Sequence, residues 1–278
     1  MPHNSKLALI LFLAVLLVAC AAPTAVPPPT PATIPAVGAN TGGTSLTVLA
    51  AASLTDAFKN IGKAFEAKHA GVNVRFSFSG SQQLRAQIEQ GAQADVFASA
   101  DAKNMDPLKT AGLLTGDPQV FAHNVLTIIA PKANPAGLTT LQDLSKPGVK
   151  IVLADASVPA GNYTLQMLDK LSADPAYGAD FKTKVLARVV SKETDVRSVV
   201  SKVSLGEADA GVVYTTDAQV AADKVSTISI PDKYNVIATY PIAVIKSSAN
   251  SNLAQQFVDF VLSADGQALL AQYGFVQR

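Results

Sequence analysis

From residue 45 onward the apolar positions switch repeatedly between a strand-like and a helix-like period. Leu46-Thr47-Val48-Leu49-Ala50 is a short β-rich run that passes through Ala51-Ala52-Ser53 into apolar residues at Leu54, Ala57, Phe58, Ile61, Ala64 and Phe65, a helical spacing. Ser53 stands where an N-cap is expected, with Asp56 three residues on to complement the helix dipole. Val72 to Phe78 alternates as a strand does, and Ser79-Gly80-Ser81 then introduces a helix carrying Leu84 and Ile88 that stops at Gly91. Strand, helix, strand, helix predicts an α/β fold.

The rest of the chain continues the alternation. Strands are expected at residues 125–130, ended by Pro131, at 151–154 and at 242–245. Helices are expected after Ser157-Val158-Pro159-Ala160-Gly161, marked by Leu165, Leu168 and Leu171, and from Thr194-Asp195 through Val196, Val199, Val200 and Val203. Two more close the chain, at about 253–262 and 266–273. Gly91-Ala92-Gln93-Ala94-Asp95-Val96-Phe97 is echoed by Gly206-Glu207-Ala208-Asp209-Ala210-Gly211-Val212-Val213. Both read as helix stop, Ala-Asp, buried strand, which points to two similar lobes.

The first 44 residues belong to another regime. Lys6 and the apolar run Leu7 to Val18 have the layout of an export signal too short for a comfortable membrane span. The run ends in Leu17-Val18-Ala19-Cys20, which resembles a bacterial lipobox, so residues 1–20 are expected to be a lipoprotein signal with Cys20 as the lipidated residue. Residues 21–44, rich in Pro, Ala, Thr and Gly, bury too little to fold and read as a tether, extended at about 3.1 Å per residue.

Composition narrows the function. Cys20 is the single cysteine of the 278 residues, which excludes disulfides, thiolate catalysis and Cys-ligated metals from the folded part. A net charge of +1 gives no basic field for nucleic acid. Four predicted helix starts, at Ser53, Ser81, Ala160 and Val196, each follow a strand or loop. Free N–H groups at a helix start, together with the helix dipole, attract anions without a formal cation, and serine hydroxyls add donors.

An ordered series of short motifs then carries a family resemblance: Ala50-Ala51-Ala52-Ser53-Leu54-Thr55, Ala94-Asp95-Val96-Phe97, Ala130-Pro131-Lys132, Val158-Pro159-Ala160-Gly161, Asp195-Val196-Arg197, Gly211-Val212-Val213-Tyr214 and the closing Tyr273-Gly274-Phe275. From Leu46 to its end the chain resembles the ModA-type molybdate-binding proteins of ABC transporters. The resemblance implies a two-lobed, type II periplasmic-binding-protein fold, each lobe a mixed β-sheet flanked by helices. The ligand, molybdate or tungstate, would lie in the interlobe cleft without a cofactor or a metal-ion ligand. Ser53 and Ser81 would supply hydroxyl and backbone N–H, Ala160 and Val196 backbone N–H, and Tyr214 its phenol. Ser79 remains an alternative to Ser81.

The implied lobes are residues 45–124 plus 240–278 and residues 125–239, joined by two crossing strands. The resemblance further implies an extracytoplasmic monomer, held to the membrane only by its lipid, that delivers cargo to a permease and its ATPase. Arg197, beside a predicted ligand residue, is expected in a salt bridge or at the hinge, and Asp95 and Asp209 as hydrogen-bond acceptors at strand starts. The rivals are sulfate, phosphate or ferric ion as cargo, a ligand-sensing domain, and a serine-dependent hydrolase using Ser53 or Ser81 with His69 or His123. No G-x-S-x-G, H-E-x-x-H or Walker motif supports the hydrolase.

Overall fold

The computed structural model of the chain describes residues 43–277. Cys20, the signal over 1–20 and the tether as far as residue 42 lie outside the described residues. In chain order the elements are β1 (Thr44–Ala51), α1 (Thr55–Lys68), β2 (Val72–Ser79), α2 (Ser81–Glu89), β3 (Val96–Ala98), α3 (Ala102–Thr110), β4 (Leu114–Asn124) and β5 (Leu126–Pro131). There follow β6 (Ile151–Ala154), α4 (Pro159–Ala173), α5 (Phe181–Leu186), β7 (Val189–Glu193), α6 (Val196–Ser204), β8 (Ala210–Tyr214) and α7 (Thr215–Val220). The last are β9 (Val225–Ile228), β10 (Ala238–Ile245), α8 (Ser251–Leu262) and α9 (Ala264–Gln272).

These strands form two five-stranded mixed sheets with one topology. The first has the order β2-β1-β3-β10-β4 and the second β7-β6-β8-β5-β9. In each, the three leading strands run parallel and the next two pairings are antiparallel. The echoed segments occupy equivalent places: β3 and β8 are the third strands, each fed by a helix, α2 or α6. Their aspartates make the same double contact. Asp95 N–H donates to Thr47 O while Thr47 N–H donates to Asp95 Oδ2 at 2.7 Å; Asp209 N–H donates to Lys150 O while Lys150 N–H donates to Asp209 Oδ2 at 2.8 Å. Each carboxylate thus pins the start of its third strand to the neighbouring strand or the residue leading into it.

Burial follows the periods read from the sequence. α1 buries Ala57, Phe58, Ile61 and Phe65 against the first sheet, where Phe58 meets Phe121 and Phe257 at ring-centroid distances of 5.6 and 6.2 Å. α6 buries Val196, Val199, Val200 and Val203 against the second. It sits close because residue 211 is glycine: a Cβ there would lie 2.7 Å from Val199 Cγ1. Among the described residues no helix is long and apolar enough to cross a membrane.

One local expectation is corrected. Ser53 does not cap α1; it lies inside a single 3-10 turn, Ala52–Leu54, between β1 and α1, and makes no capping bond. The turn forms because the buried end of β1 runs directly into the helix, and Thr55 Oγ1 donates back to Ala52 O at 2.7 Å. The Ser53 hydroxyl is thereby left for another partner.

Candidate oxyanion site

Parallel strands of an open α/β sheet leave a crevice beyond their carboxyl ends. Here the ends of β1, β2, β6 and β7 lead respectively into the 3-10 turn at Ser53 and into α2, α4 and α6. All five predicted residues, Ser53, Ser81, Ala160, Val196 and Tyr214, line one small cavity of about 10 Å³. Both sheets therefore contribute: Ser53 and Ser81 from the first, Ala160, Val196 and Tyr214 from the second. Ser79 also lines the cavity, together with Gly80 and Ala100. The space is far smaller than the roughly 300–1,000 Å³ of sites for organic ligands.

The lining is neutral. Among the described residues no Asp, Glu, Lys, Arg or His borders this cavity. Its polarity comes from helix starts: α2 and α4 have no side-chain cap, and Pro159 at the first position of α4 leaves Ala160 to present the first N–H. α6 is capped by Asp195, whose Oδ1 accepts from Ser198 N–H at 3.0 Å, leaving the earlier N–H of Val196 uncommitted by that cap.

The hydroxyls are arranged in the same sense. Ser81 Oγ accepts from Ala100 N–H at 3.0 Å, and Ser53 Oγ lies 3.1 Å from the Tyr240 hydroxyl. Ser79 Oγ instead donates to Gln83 Oε1. That bond commits the Ser79 proton within its own segment. Tyr214 is 1% exposed, yet its hydroxyl has no hydrogen-bond partner. Burial, with Tyr240 and Tyr163 as neighbours, holds this phenol protonated far above its usual range. A buried donor left unmatched costs about 1–3 kcal/mol, so this one has the character of a group awaiting an acceptor.

Arg197 does not border the cavity. Its Nη2 lies 2.7 Å from Asp56 Oδ2 on α1, and its Nε 2.8 Å from Asp217 Oδ1 on α7. Asp217 is fully buried, and that desolvation outweighs Arg197 and lifts its carboxyl to about 6. His69 Nδ1 contacts Phe65 O at the end of α1, and His123 Nδ1 contacts Thr239 Oγ1. Neither histidine is bonded to a serine. Among the described residues no group of three or more His, Cys, Asp or Glu side chains is placed to hold a metal ion.

Sequence reasoning missed the residues that prepare the site. Gly80 lies between β2 and α2, and a Cβ on it would fall 2.4 Å from Thr194 O, on the second sheet's side of the cavity. Tyr240 stands behind Ser53, hydroxyl to hydroxyl. The glycine had a local signal in the break between strand and helix; the tyrosine had none.

Residues 46–276 match the family described as bacterial extracellular solute-binding proteins. The chain is 42% identical over 247 residues to the molybdate-binding protein ModA of Mycobacterium tuberculosis, covering 89% of this chain and 90% of that one. It is 32% identical over 237 residues to Escherichia coli ModA, covering 83% and 88%. Among solved structures, the periplasmic molybdate-binding protein of Azotobacter vinelandii superposes with a TM-score of 0.71 at 25% identity, covering 84% of this chain and 99% of that one. The fold is the two-lobed α/β architecture of type II periplasmic binding proteins.

Proposed function

The chain belongs to the family of bacterial extracellular solute-binding proteins, and from that premise we propose that it captures molybdate or tungstate and delivers it to an ABC importer. The observation that carries this reading is the neutral cavity on which Ser53, Ser81, Ala160, Val196 and the unpartnered phenol of Tyr214 converge from both sheets. Oriented N–H and O–H dipoles replace the hydration of a dianion without burying a counter-charge. The names of the relatives supply the cargo class, and the small cavity is consistent with it.

In this reading the lobes are residues 45–124 plus 240–278 and residues 125–239. The ligand bridges them, so binding favours the closed form, in which all donors reach one anion. Selectivity against sulfate rests on size: donors spaced for the longer metal–oxygen bonds stay unmet by a smaller anion, and unmet donors are costly. The receptor acts as a monomer, without cofactor or catalytic step, held by a lipid at Cys20 and the tether beside a permease and its ATPase. The hydrolase reading is disfavoured by the contacts of His69 and His123, neither of which can activate a serine as placed.

The test is calorimetric titration of molybdate into the wild type and into Ser53→Ala/Ser81→Ala. The double variant should keep its thermal transition and lose binding by about a hundredfold or more, on the scale of two charge-assisted hydrogen bonds. Unchanged affinity in the folded double variant would place the site elsewhere.

A further inference from the structure

The start of α6 is held from the first sheet's helices at two points. Arg197, in its first turn, pairs with Asp56 on α1, and the carbonyl of Thr194, two residues ahead of Val196, accepts at 2.8 Å from Nε2 of Gln82 in the first turn of α2. Val196, which lines the cavity, lies between these two anchors. A carbonyl accepts only from the NH₂ end of an amide, so the contact fixes the orientation of the Gln82 head group. Gln82 Oε1 makes no hydrogen bond. Among the described residues Thr194 O is therefore the amide's single polar anchor, and it belongs to the opposite sheet's side of the cavity.

Gly80 makes room for that anchor. It sits between β2 and α2, and a Cβ on it would lie 2.4 Å from Thr194 O and 2.5 and 2.6 Å from Gln82 Oε1 and Nε2. Donor and acceptor thus meet in the space that a side chain at position 80 would take. Gly80 and Ser81 line the cavity as well, so the bond lies directly beside it.

We propose that Gln82 is a positioning residue that straps the start of α6 to α2 once the two sheets have come together, holding the Val196 N–H at the bound anion and setting how slowly the anion leaves. The inference rests on the oxyanion-receptor reading above. The bond forms only after the sheets approach, so it adds nothing to the encounter with the anion and acts on release. Its donor is neutral and its acceptor is backbone, so it leaves the charge of the cleft, and with it the choice among oxyanions, unaltered.

Stopped-flow rates for molybdate on the full chain test this in wild type, Gln82→Met, Gly80→Ala and the double variant, followed by tyrosine fluorescence because the chain has no tryptophan. Calorimetric affinities for molybdate and sulfate accompany them. Methionine keeps the unbranched shape of glutamine and removes the donor. Gln82→Met should speed release about three- to tenfold, the scale of one hydrogen bond, with the association rate, the molybdate-to-sulfate ratio and the ligand-free melting temperature unchanged. In the Gly80→Ala background, where the approach is blocked, it should add nothing. Unchanged release, a loss carried by slower association, a shifted anion ratio or equal losses in both backgrounds would overturn the proposal. A clear loss of ligand-free stability would also overturn it, by making Gln82 a support of α2 itself. If wild type binds neither anion, the receptor reading falls, an outcome distinct from binding with unchanged release.

Discussion

Arg197 on α6 reaches Asp56 on α1, Nη2 to Oδ2 at 2.7 Å, while its Nε stays paired with Asp217 on α7. One guanidinium thus joins the helices packed on the two sheets. In the proposed receptor this pair exists only when the lobes are together, so it adds to the closed form and not to the fold of either lobe. Removing Arg197 would also strand the buried Asp217, which makes Asp56 the better probe.

Asp56→Asn should lower molybdate affinity about three- to tenfold, through faster release, with the order of anion preference unchanged. Calorimetry with a dissociation-rate measurement checks it. A change in anion preference would mean that the pair acts on the ligand and not on closure.

Tyr214→Phe should separate binding from stability. The hydroxyl has no partner in the structure, so deleting it should leave the ligand-free melting temperature unchanged or higher, while molybdate affinity falls about tenfold or more. A clear loss of ligand-free stability would show that the phenol already has a structural partner.

Gly80 has ordinary extended angles, φ −60° and ψ 138°, which alanine adopts without strain. Its constraint is the Thr194 carbonyl, 2.4 Å from where a Cβ would lie. Gly80→Ala should therefore fold normally and fail to close, losing affinity on the order of a hundredfold while small-angle scattering keeps the ligand-free envelope on adding molybdate. Wild-type affinity in this variant would contradict the close approach.

Asp217 makes a pH prediction. Its carboxyl is raised to about 6 by burial, so the stabilising difference from this group is fully present below the unfolded value near 4 and is lost as pH rises through 6. Relative to Asp217→Asn, the wild type should gain thermal stability as pH falls from about 7 to about 4. A melting-temperature difference that is flat, or that moves the other way, rules this out.

The elements were legible wherever one period ran long enough. The strands at β1 and β2 and the helices α1, α4 and α6 follow directly from the spacing of Leu46 to Phe65, Val72 to Phe78, Leu168 to Leu171 and Val196 to Val203. α3 leaves no clear period because Pro107 sits inside a weakly apolar helix, and α5 and α7, six residues each, are too short to show one. The ligand-facing residues came from the ordered motifs and not from local chemistry. What stands behind them is set by contacts between distant segments: Ser53 with Tyr240 and Asp56 with Arg197 are separated by 187 and 141 residues. No periodicity encodes such a pairing. Ser53 reads as a cap because a serine before a helical spacing is the usual cap signature, and only the fold shows the extra turn.

In the proposed receptor this neutral cavity takes a large, fully deprotonated tetrahedral oxyanion. The most direct measurement is a calorimetric series with the purified protein and molybdate, tungstate, sulfate and phosphate in one buffer. Molybdate and tungstate should bind tightly, with sulfate and phosphate weaker by about a hundredfold or more. Preference for sulfate or phosphate, or no binding by folded, ligand-free protein, would contradict it.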